Sequence, residues 1–265
     1  MKKHFIFLFL LYFVFFACSK NIDKIYEFSV SPDNQSIEIT KFLDTGDNSQ
    51  NKVSIPPRIQ KMPVNRIGEM AFYESMLTHI IIPDTVIEIG AKAFQENSLT
   101  SINIPDSVTI IGSESFSFNQ LDDVTIGNNV TVIGNGAFMN NRIMVVDIPD
   151  SVIVIGGDAF TDNLLIFIFF GNNVKEIKYF AFSNNYLTRI TVPDSVTIIE
   201  GGAFALNHIT DITIGANVTL KPIMIGNSGD SIPVFELGFD DFYNSNGRKA
   251  GHYVYENDAW GVVML

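Results

Sequence analysis

The sequence has little of several residue types that build catalytic or metal sites: one cysteine, one tryptophan and four histidines among 265 residues. A single cysteine excludes an internal disulfide framework and any metal site made of several cysteines. The histidines show no H-x-x-x-H or H-E-x-x-H spacing, which gives no indication of a zinc site. Basic residues are also few and scattered, and the net charge of −12 argues against a nucleic-acid surface.

The single cysteine follows an amino-terminal segment with three parts. Two lysines follow the initiating methionine, residues 5–16 form an uninterrupted apolar run, and Ala17 precedes Cys18. This run is too short to cross a bilayer as a permanent helix. It is typical of a signal peptide, which we assign to residues 1–17.

Residues Phe15–Cys18 resemble the lipobox of bacterial lipoproteins, with phenylalanine at the position where leucine is usual. The resemblance implies that the signal is removed before Cys18, whose thiol and amine are then acylated. Residues 18–24 would be the lipidated cysteine and a short polar tether, and the lipid would hold the protein at a membrane. Ordinary secretion, with Cys18 as an incidental residue, is the alternative.

A repeat of 22 residues organises the rest of the chain. Phenylalanine recurs seven times at this interval, at positions 72, 94, 116, 138, 160, 182 and 204. Asparagine recurs six times, at positions 97, 119, 141, 163, 185 and 207. A period of this length is the mark of stacked coils, each of which completes its apolar core only against its neighbours. We predict a repeat solenoid with seven 22-residue units over residues 61–214.

Each unit follows the pattern V-x-x-I-G-x-x-A-F-x-x-N-x-L-x-x-I-x-I. The glycine is expected to supply a left-handed backbone angle at a corner. Lys178 and Glu200, which replace it in the last two units, imply tolerated strain or a locally different turn. The Ala-Phe segment is too short for a stable helix alone, so we expect one turn of α or 3₁₀ helix held by packing. Stacked phenylalanines would form an aromatic ladder, and the asparagine would cap backbone groups in the bend. The L-x-x-I-x-I stretch would close a parallel sheet along one flank.

The dipeptide that opens each unit is either Pro-Asp or Gly-Asn, two ways of turning the chain. The two alternate from residue 105 onward, which superimposes a period of 44 residues on the period of 22. We interpret this longer period as a trace of the duplication of a pair of units, with no bearing on stability.

The amino-terminal end departs from the repeat, and we predict a β-rich, hairpin-like cap over residues 25–60. Two alternating segments there are separated by turn signals at 31–34 and 45–48. Residues 53–56 form a first, irregular copy of the strand and turn of a unit. A cap is needed because the first coil would otherwise expose an apolar face and an open sheet edge.

The carboxy-terminal end, residues 215–265, combines a degenerate unit with a predicted β-hairpin cap. Two aromatic-rich runs lie on either side of Asn246-Gly247, a strong hairpin signal. The aromatic residues expected to cover the last coil are Phe239, Phe242, Tyr253, Tyr255 and Trp260. An aromatic platform for a ligand is the alternative.

Two residues in each L-x-x-I-x-I strand point outward, and they differ from unit to unit. This candidate binding face consists of His79, Ile81, Ser101, Asn103, Asp123, Thr125, Val145, Asp147, Phe167, Phe169, Arg189, Thr191, Asp211 and Thr213. We call the two outward residues of one unit a row. Most rows are polar, whereas Phe167 and Phe169 make an apolar row with the composition of a binding hot spot. A shifted register in that unit, or burial of both rings beneath a loop, is the alternative.

The repeat pattern, with its I-P-D-S-V opening, resembles that of the BspA-like leucine-rich repeat family of bacterial surface proteins over roughly residues 53–220. Many members carry cysteine where this chain has the repeated asparagine, and their unit often has one residue more. The resemblance implies a right-handed solenoid exported to the cell envelope. It also implies a role in adhesion to host proteins or to other bacteria.

No polar constellation interrupts the repeat, so we predict a protein that is not an enzyme and that has no metal, cofactor or nucleic-acid partner. The leading hypothesis is a lipid-anchored envelope protein, at the outer membrane or cell surface, that binds a host or bacterial protein and serves in adhesion. A periplasm-facing binding or assembly scaffold is one alternative. A glycan-binding module that uses the carboxy-terminal aromatic residues is another.

Overall fold

The computed structural model describes residues 24–43, 51–216, 218–225 and 230–263. Cys18, the predicted signal peptide and the turn signal at 45–48 lie outside these ranges. Within them the chain forms short strands and one α-helix. None of the described helical structure is long and apolar enough to cross a membrane.

The amino-terminal strands are β1 (Tyr26–Val30), β2 (Ile37–Phe42), β3 (Lys52–Ser54), β4 (Arg58–Ile59) and β5 (Met62–Ile67). The strands of the repeats are β6 (His79–Ile81), β7 (Glu88–Ile89), β8 (Ser101–Asn103), β9 (Ile110–Ile111), β10 (Asp123–Thr125), β11 (Val132–Ile133), β12 (Val145–Asp147), β13 (Val154–Ile155), β14 (Phe167–Phe169), β15 (Glu176–Ile177), β16 (Arg189–Thr191), β17 (Ile198–Glu200) and β18 (Asp211–Ile214). The carboxy-terminal elements are β19 (Thr219–Lys221), β20 (Ile223–Ile225), β21 (Asp230–Ile232), helix α1 (Phe239–Ser245), β22 (Gly251–Glu256) and β23 (Ala259–Val263).

The V-x-x-I stretch of each unit builds a continuous sheet, which we call the long sheet. Its strands pair in the order β1, β2, β5, β7, β9, β11, β13, β15, β17 and β19, with β4 beside β5. From β2 onward along this order the pairs are parallel, and Ile111, Ile133 and Ile155 are direct neighbours across three strands. The chain is therefore a parallel β-solenoid with one 22-residue coil per turn.

The L-x-x-I-x-I stretch forms a second set of parallel strands, whose outward side we call the variable face. The predicted parallel pairing of this stretch is confirmed, although the continuous sheet of the solenoid is the long sheet. Within the described residues the strands of the variable face pair two by two: β3 with β6, β8 with β10, β12 with β14, and β16 with β18. We call each of the last three pairs of coils a module.

In two of the three modules, hydrogen bonds join the turn that directly follows the first strand of the pair to the turn that directly follows the second. Each of these turns is the dipeptide that opens the next unit. The backbone N–H and side-chain amide of Asn128 both donate to Oδ1 of Asp106, at 2.7 and 3.2 Å. The amide of Asn129 donates to the Asp106 carbonyl at 2.8 Å. Glycine is needed beside them because a Cβ on Gly127 would lie 2.4 Å from the carbonyl oxygen of Pro105.

The next module repeats these contacts with Asp150, Asn172 and Asn173, at 2.7 to 3.1 Å. A Gly-Asn turn can therefore pack directly against the Pro-Asp turn one coil earlier, because glycine has no Cβ. A proline in its place would bring its ring into contact with the backbone of the preceding coil. The interpretation that the 44-residue period has no bearing on stability is wrong, since it decides which coils are joined by these bonds.

Stacked aromatic rings fill the interior, which confirms the predicted ladder. The seven repeated phenylalanines are at most 1% exposed. Successive ring centroids from Phe72 to Phe204 are 5.0 to 5.5 Å apart with interplanar angles of 20° or less. Phe42 and Phe235 extend the stack into the two ends, at 5.3 and 5.0 Å. Rings in this offset geometry contribute beyond their buried area.

The repeated asparagines cap backbone groups, as predicted. In Asn141 the side-chain amide donates to the carbonyls of Phe116 at 2.9 Å and Phe138 at 3.0 Å, and Oδ1 accepts the N–H of Leu121 at 3.0 Å. Each asparagine thus joins its own coil to the preceding one. Because these side chains are buried, their bonds satisfy groups that water does not reach.

The glycines of the repeat have a role other than the predicted one. Gly112 and Gly134 are not among the residues with positive φ, and neither are Lys178 and Glu200, so the predicted left-handed corner and its strain are wrong. A Cβ on Gly112 would lie 2.5 Å from the carbonyl carbon of Gly90. Glycine therefore allows close approach between coils, which is its second common use.

The predicted helical turn in the Ala-Phe segment is also wrong. Lys92 and Glu96, on either side of Phe94, have φ of 56° and 57° in the left-handed region. A helix needs successive right-handed residues, so this alternation excludes one. The Phe94 N–H instead donates to the Ser115 carbonyl of the next coil at 2.8 Å.

At the amino-terminal end, β1 and β2 form an antiparallel pair around a turn in which the Asn34 N–H donates to the Ser31 carbonyl at 2.8 Å. Strand β3 pairs in parallel with β6, as a copy of the repeat strand would. The first coil is thus covered on both of its strand-bearing sides.

At the carboxy-terminal end, the hairpin predicted around Asn246-Gly247 is wrong. Residues 239–245 form α1, in which Phe239 and Tyr243, four positions apart, are fully buried on one helix face. The hairpin lies between β22 and β23, with φ of 50° at Asn257 and 62° at Asp258. Two successive left-handed residues suit the tight turn that joins twisted strands.

The buried carboxylate of Asp240 holds the start of α1 to the preceding loop. Its oxygens accept the N–H groups of Val234 at 2.7 Å and Phe235 at 3.0 Å. Burial raises the pKa of Asp240, and the two N–H bonds act in the opposite direction.

Candidate binding surface

The outward residues of the variable face lie where alternation predicts. Eleven of the fourteen are exposed, and Ser101, Asp211 and Thr213 are partly buried. The residues between them, such as Ile102, Val146 and Ile190, are buried at 1 to 3% exposure. Alternating strands on a packed core therefore present a surface whose side chains can change without disturbing the interior.

Phe167 and Phe169 are exposed at 45 and 58%, and their rings are 6.2 Å apart and nearly parallel. Ile168 between them is only 8% exposed, and β14 is in register with β12. The alternative of a shifted register or of rings hidden beneath a loop is therefore wrong. Two phenylalanine rings in water have no stabilising role in the core, which makes them candidates for contact with another molecule.

Three neighbouring residues enlarge this row to what we call the apolar patch: Met144, Val145, Ile166, Phe167 and Phe169. Met144, Val145 and Ile166 are 50, 44 and 41% exposed. Sequence reasoning missed Met144 and Ile166 because they precede the strand and fall outside its alternation. A signal was present, since the equivalent position in the other five units is threonine or aspartate.

A side-chain hydrogen bond joins the carboxy-terminal end of the variable face to the cap. Nε2 of His252 is 2.9 Å from Oδ1 of Asp211, whose other oxygen is 3.7 Å from Arg189. His252 lies on β22, which pairs with β18. This contact fixes the cap hairpin against the last module.

The carboxy-terminal aromatic residues are covering material, as expected. Phe239 and Tyr253 are fully buried and Trp260 is 9% exposed, while Phe242 and Tyr255 are partly buried against the core. Trp260 packs on Phe239 at 4.8 Å, and its indole N–H donates to the Leu237 carbonyl at 3.0 Å. Three of the five rings are thus closed to a ligand, so an aromatic platform would have only the partly buried Phe242 and Tyr255 to offer.

A shallow groove of about 200 Å³ lies at the amino-terminal end of the variable face, lined by β6, β8 and the outward residues of β10. Across the described ranges, no three His, Cys, Asp or Glu side chains are grouped to hold a metal ion. The variable face therefore offers side-chain contacts over an extended surface.

The sequence pattern matches the model of the BspA type leucine-rich repeat region, in six copies, over residues 35–166 and 134–223. The chain belongs to this family. No curated protein matches the chain. Leucine-rich repeats of this type generally bind proteins at bacterial surfaces.

Solved structures of similar fold include a leucine-rich repeat protein from Bacteroides ovatus, with 29% identity and a TM-score of 0.65 over 73% of this chain and 52% of that one. A leucine-rich cell surface protein from Faecalibacterium prausnitzii has 24% identity and a TM-score of 0.59 over 78% of this chain and 58% of that one. This BspA-type chain thus spans little more than half of the length of either protein.

Proposed function

We propose that this BspA-type chain is a non-enzymatic envelope lipoprotein that binds a protein partner through the variable face and serves in adhesion. The observation that carries the proposal is the exposed pair Phe167 and Phe169 on a rigid, stacked scaffold. Binding energy at protein interfaces is concentrated in a few such large side chains surrounded by polar residues. Rigid strands also reduce the entropy lost when a partner binds.

The binding test compares wild type with the double variant Phe167→Ser and Phe169→Ser on an array of purified host extracellular proteins and bacterial surface proteins. Partners of the wild-type chain should bind the variant at least about 30-fold more weakly, which corresponds to the ~2 kcal/mol loss of a hot spot. The thermal unfolding midpoint should hardly change because both rings are exposed. Unchanged binding to every partner would refute the assignment of this patch.

A matched control removes exposed apolar area beside the long sheet. Ile87 and Ile153, which directly precede β7 and β13, are 48 and 45% exposed. The double variant Ile87→Ser and Ile153→Ser should bind the same partners as wild type. Equal loss of binding in the control would mean that exposed apolar area, rather than the variable face, governs the interaction.

The anchoring and orientation parts of the proposal have separate tests. Mass spectrometry of the processed protein should find a diacylated or triacylated Cys18 at the amino terminus. An unmodified terminus at another residue would refute the lipid anchor. Protease treatment of intact cells should remove the solenoid from the surface, whereas protection would favour a periplasm-facing scaffold.

A further inference from the structure

The boundary between two modules opens a groove in the variable face. It lies between β10 and β12 and has a volume of about 470 Å³. The lining residues are Val124, Thr125, Ile126, Asn128, Asp147, Ile148, Pro149, Asp150, Phe170 and Gly171. The groove separates the polar amino-terminal rows from the apolar patch.

The groove exists because the coils on its two sides belong to different modules. Within the described residues no ladder joins β10 to β12, although each is paired on its other side. Val124, at the groove, is partly buried, whereas Ile102 and Val146 at the equivalent positions are 3 and 1% exposed. The boundary therefore exposes both strand edges and part of the core row, which apolar and polar groups of a ligand can contact.

The charged residues that line the groove are all acidic. Asp147 and Asp150 line it, and none of its lining residues is basic. Asp147 is exposed, and Asp150 uses Oδ1 for the contact with Asn172 inside its module. The walls formed by Pro149 and Phe170 are apolar. A long side chain with an apolar stem and a positive end complements both properties.

We infer that this groove receives a lysine or arginine side chain of a protein partner whose neighbouring apolar residue lies on the apolar patch. The inference rests on the proposed function and defines the partner's chemistry. Asp147 is the direct neighbour of Phe169 across β12 and β14, and paired strands are about 4.8 Å apart. Alternate residues of an extended segment are about 6.6 Å apart, so one short segment can reach both places.

The test selects peptides from a random 12-residue phage library on the full-length chain, purified in detergent and captured by a carboxy-terminal tag. Selected peptides should carry lysine or arginine within two positions of an aromatic or large aliphatic residue. Their affinity should fall about three- to fivefold for Asp147→Asn, the effect of one partly exposed charge pair. Raising the salt concentration should weaken binding to wild type more than binding to that variant.

The matched control is Asp122→Asn, which removes the same charge at an exposed residue just before β10 that belongs neither to the candidate binding face nor to the groove lining. It should leave peptide affinity within a factor of two of wild type. An equal loss in both variants would overturn the inference in favour of a general charge effect. A library selection without excess basic residues, or peptides that bind Asp147→Asn as tightly as wild type, would also overturn it.

These outcomes separate the groove from the proposed function. If peptide binding depends on Phe167 and Phe169 but not on Asp147, the proposed binding face is supported and only the inferred role of the groove is refuted. Peptides that depend on neither, or a selection that enriches none, would count against both.

Discussion

Replacing Asn141 by alanine tests the idea that the asparagine ladder, and not the aromatic stack alone, joins successive coils. The side chain of Asn141 is 7% exposed and bonds four backbone groups on two coils, the N–H of Leu121 and the carbonyls of Phe116, Phe138 and Met139. All three carbonyls keep another donor. Asn119 also donates to Phe116, Asn163 also donates to Phe138, and the Phe118 N–H donates to Met139. The Leu121 N–H has Oδ1 of Asn141 as its bonded acceptor.

The expected loss of unfolding free energy follows from the difference between the Leu121 N–H, which loses its acceptor, and the carbonyls, which keep another donor. One buried N–H left without an acceptor costs about 1 to 3 kcal/mol, and each carbonyl that loses one of two bonds adds less than about 1 kcal/mol. The variant should therefore lose about 2 to 4 kcal/mol of unfolding free energy, plus a small term for the vacated volume. This loss is a large fraction of the stability of an ordinary domain.

Chemical denaturation followed by circular dichroism measures the total loss, and hydrogen exchange with peptide-level mass spectrometry locates it. Exchange should accelerate around Leu121 and in the coil that contains residue 141. The control is Asn103→Ala, an exposed residue of β8 whose change should stay within about 0.5 kcal/mol. A loss in Asn141→Ala no larger than in the control, with the Leu121 amide still protected, would refute the reasoning.

Three further predictions concern other contacts between coils and at the cap. Gly134→Ala should lose about 1 to 3 kcal/mol in denaturation, because a Cβ there would lie 2.6 Å from the Gly112 carbonyl carbon, whereas Gly261→Ala, with 4.0 Å of clearance, should be nearly neutral. Asp150→Ala should lower stability by about 1 kcal/mol through the bonds to the next opening turn, while Asp84→Ala, whose Pro-Asp turn precedes another Pro-Asp turn, should not; equal effects would contradict the module. Because burial raises the pKa of Asp240, its contribution to stability is fully present below the ordinary value of 3.8 and declines as pH rises through the folded-state pKa. Thermal unfolding between pH 3 and 8 should show this decline in wild type and not in Asp240→Asn, and identical profiles would contradict the assignment.

The 22-residue period predicts most of the fold because each coil packs against a neighbouring coil with the same residue pattern. Once equivalent residues stack, Phe94 must lie on Phe116, and Asn119 must reach the same groups one coil away. Alternation in the last strand then separates buried Ile168 from exposed Phe167 and Phe169. Local sequence rules suffice for these features, since the neighbour of each residue is known in advance.

The same reasoning fails where the contact depends on geometry between coils. Gly112 was expected to turn the chain, yet it serves a close approach that appears only after stacking. Asn246-Gly247 is a hairpin signal, but α1 before it gains more by burying Phe239 and Tyr243. Met144 and Ile166 join the apolar patch because the coil bends before the strand begins, which no alternation rule describes.

By itself the sequence determines a solenoid, its aromatic core, its asparagine caps and the outward positions of its variable face, because periodicity makes those contacts repeat. Tertiary structure decides which strands of the variable face are joined. Gly127, just after β10, can approach the carbonyl of Pro105, just after β8, and Asn128 can bond Asp106. Strands β8 and β10 therefore close together, while β10 and β12 remain apart. The groove beside the apolar patch follows from that spacing between backbones, a distance that residue identity alone does not specify.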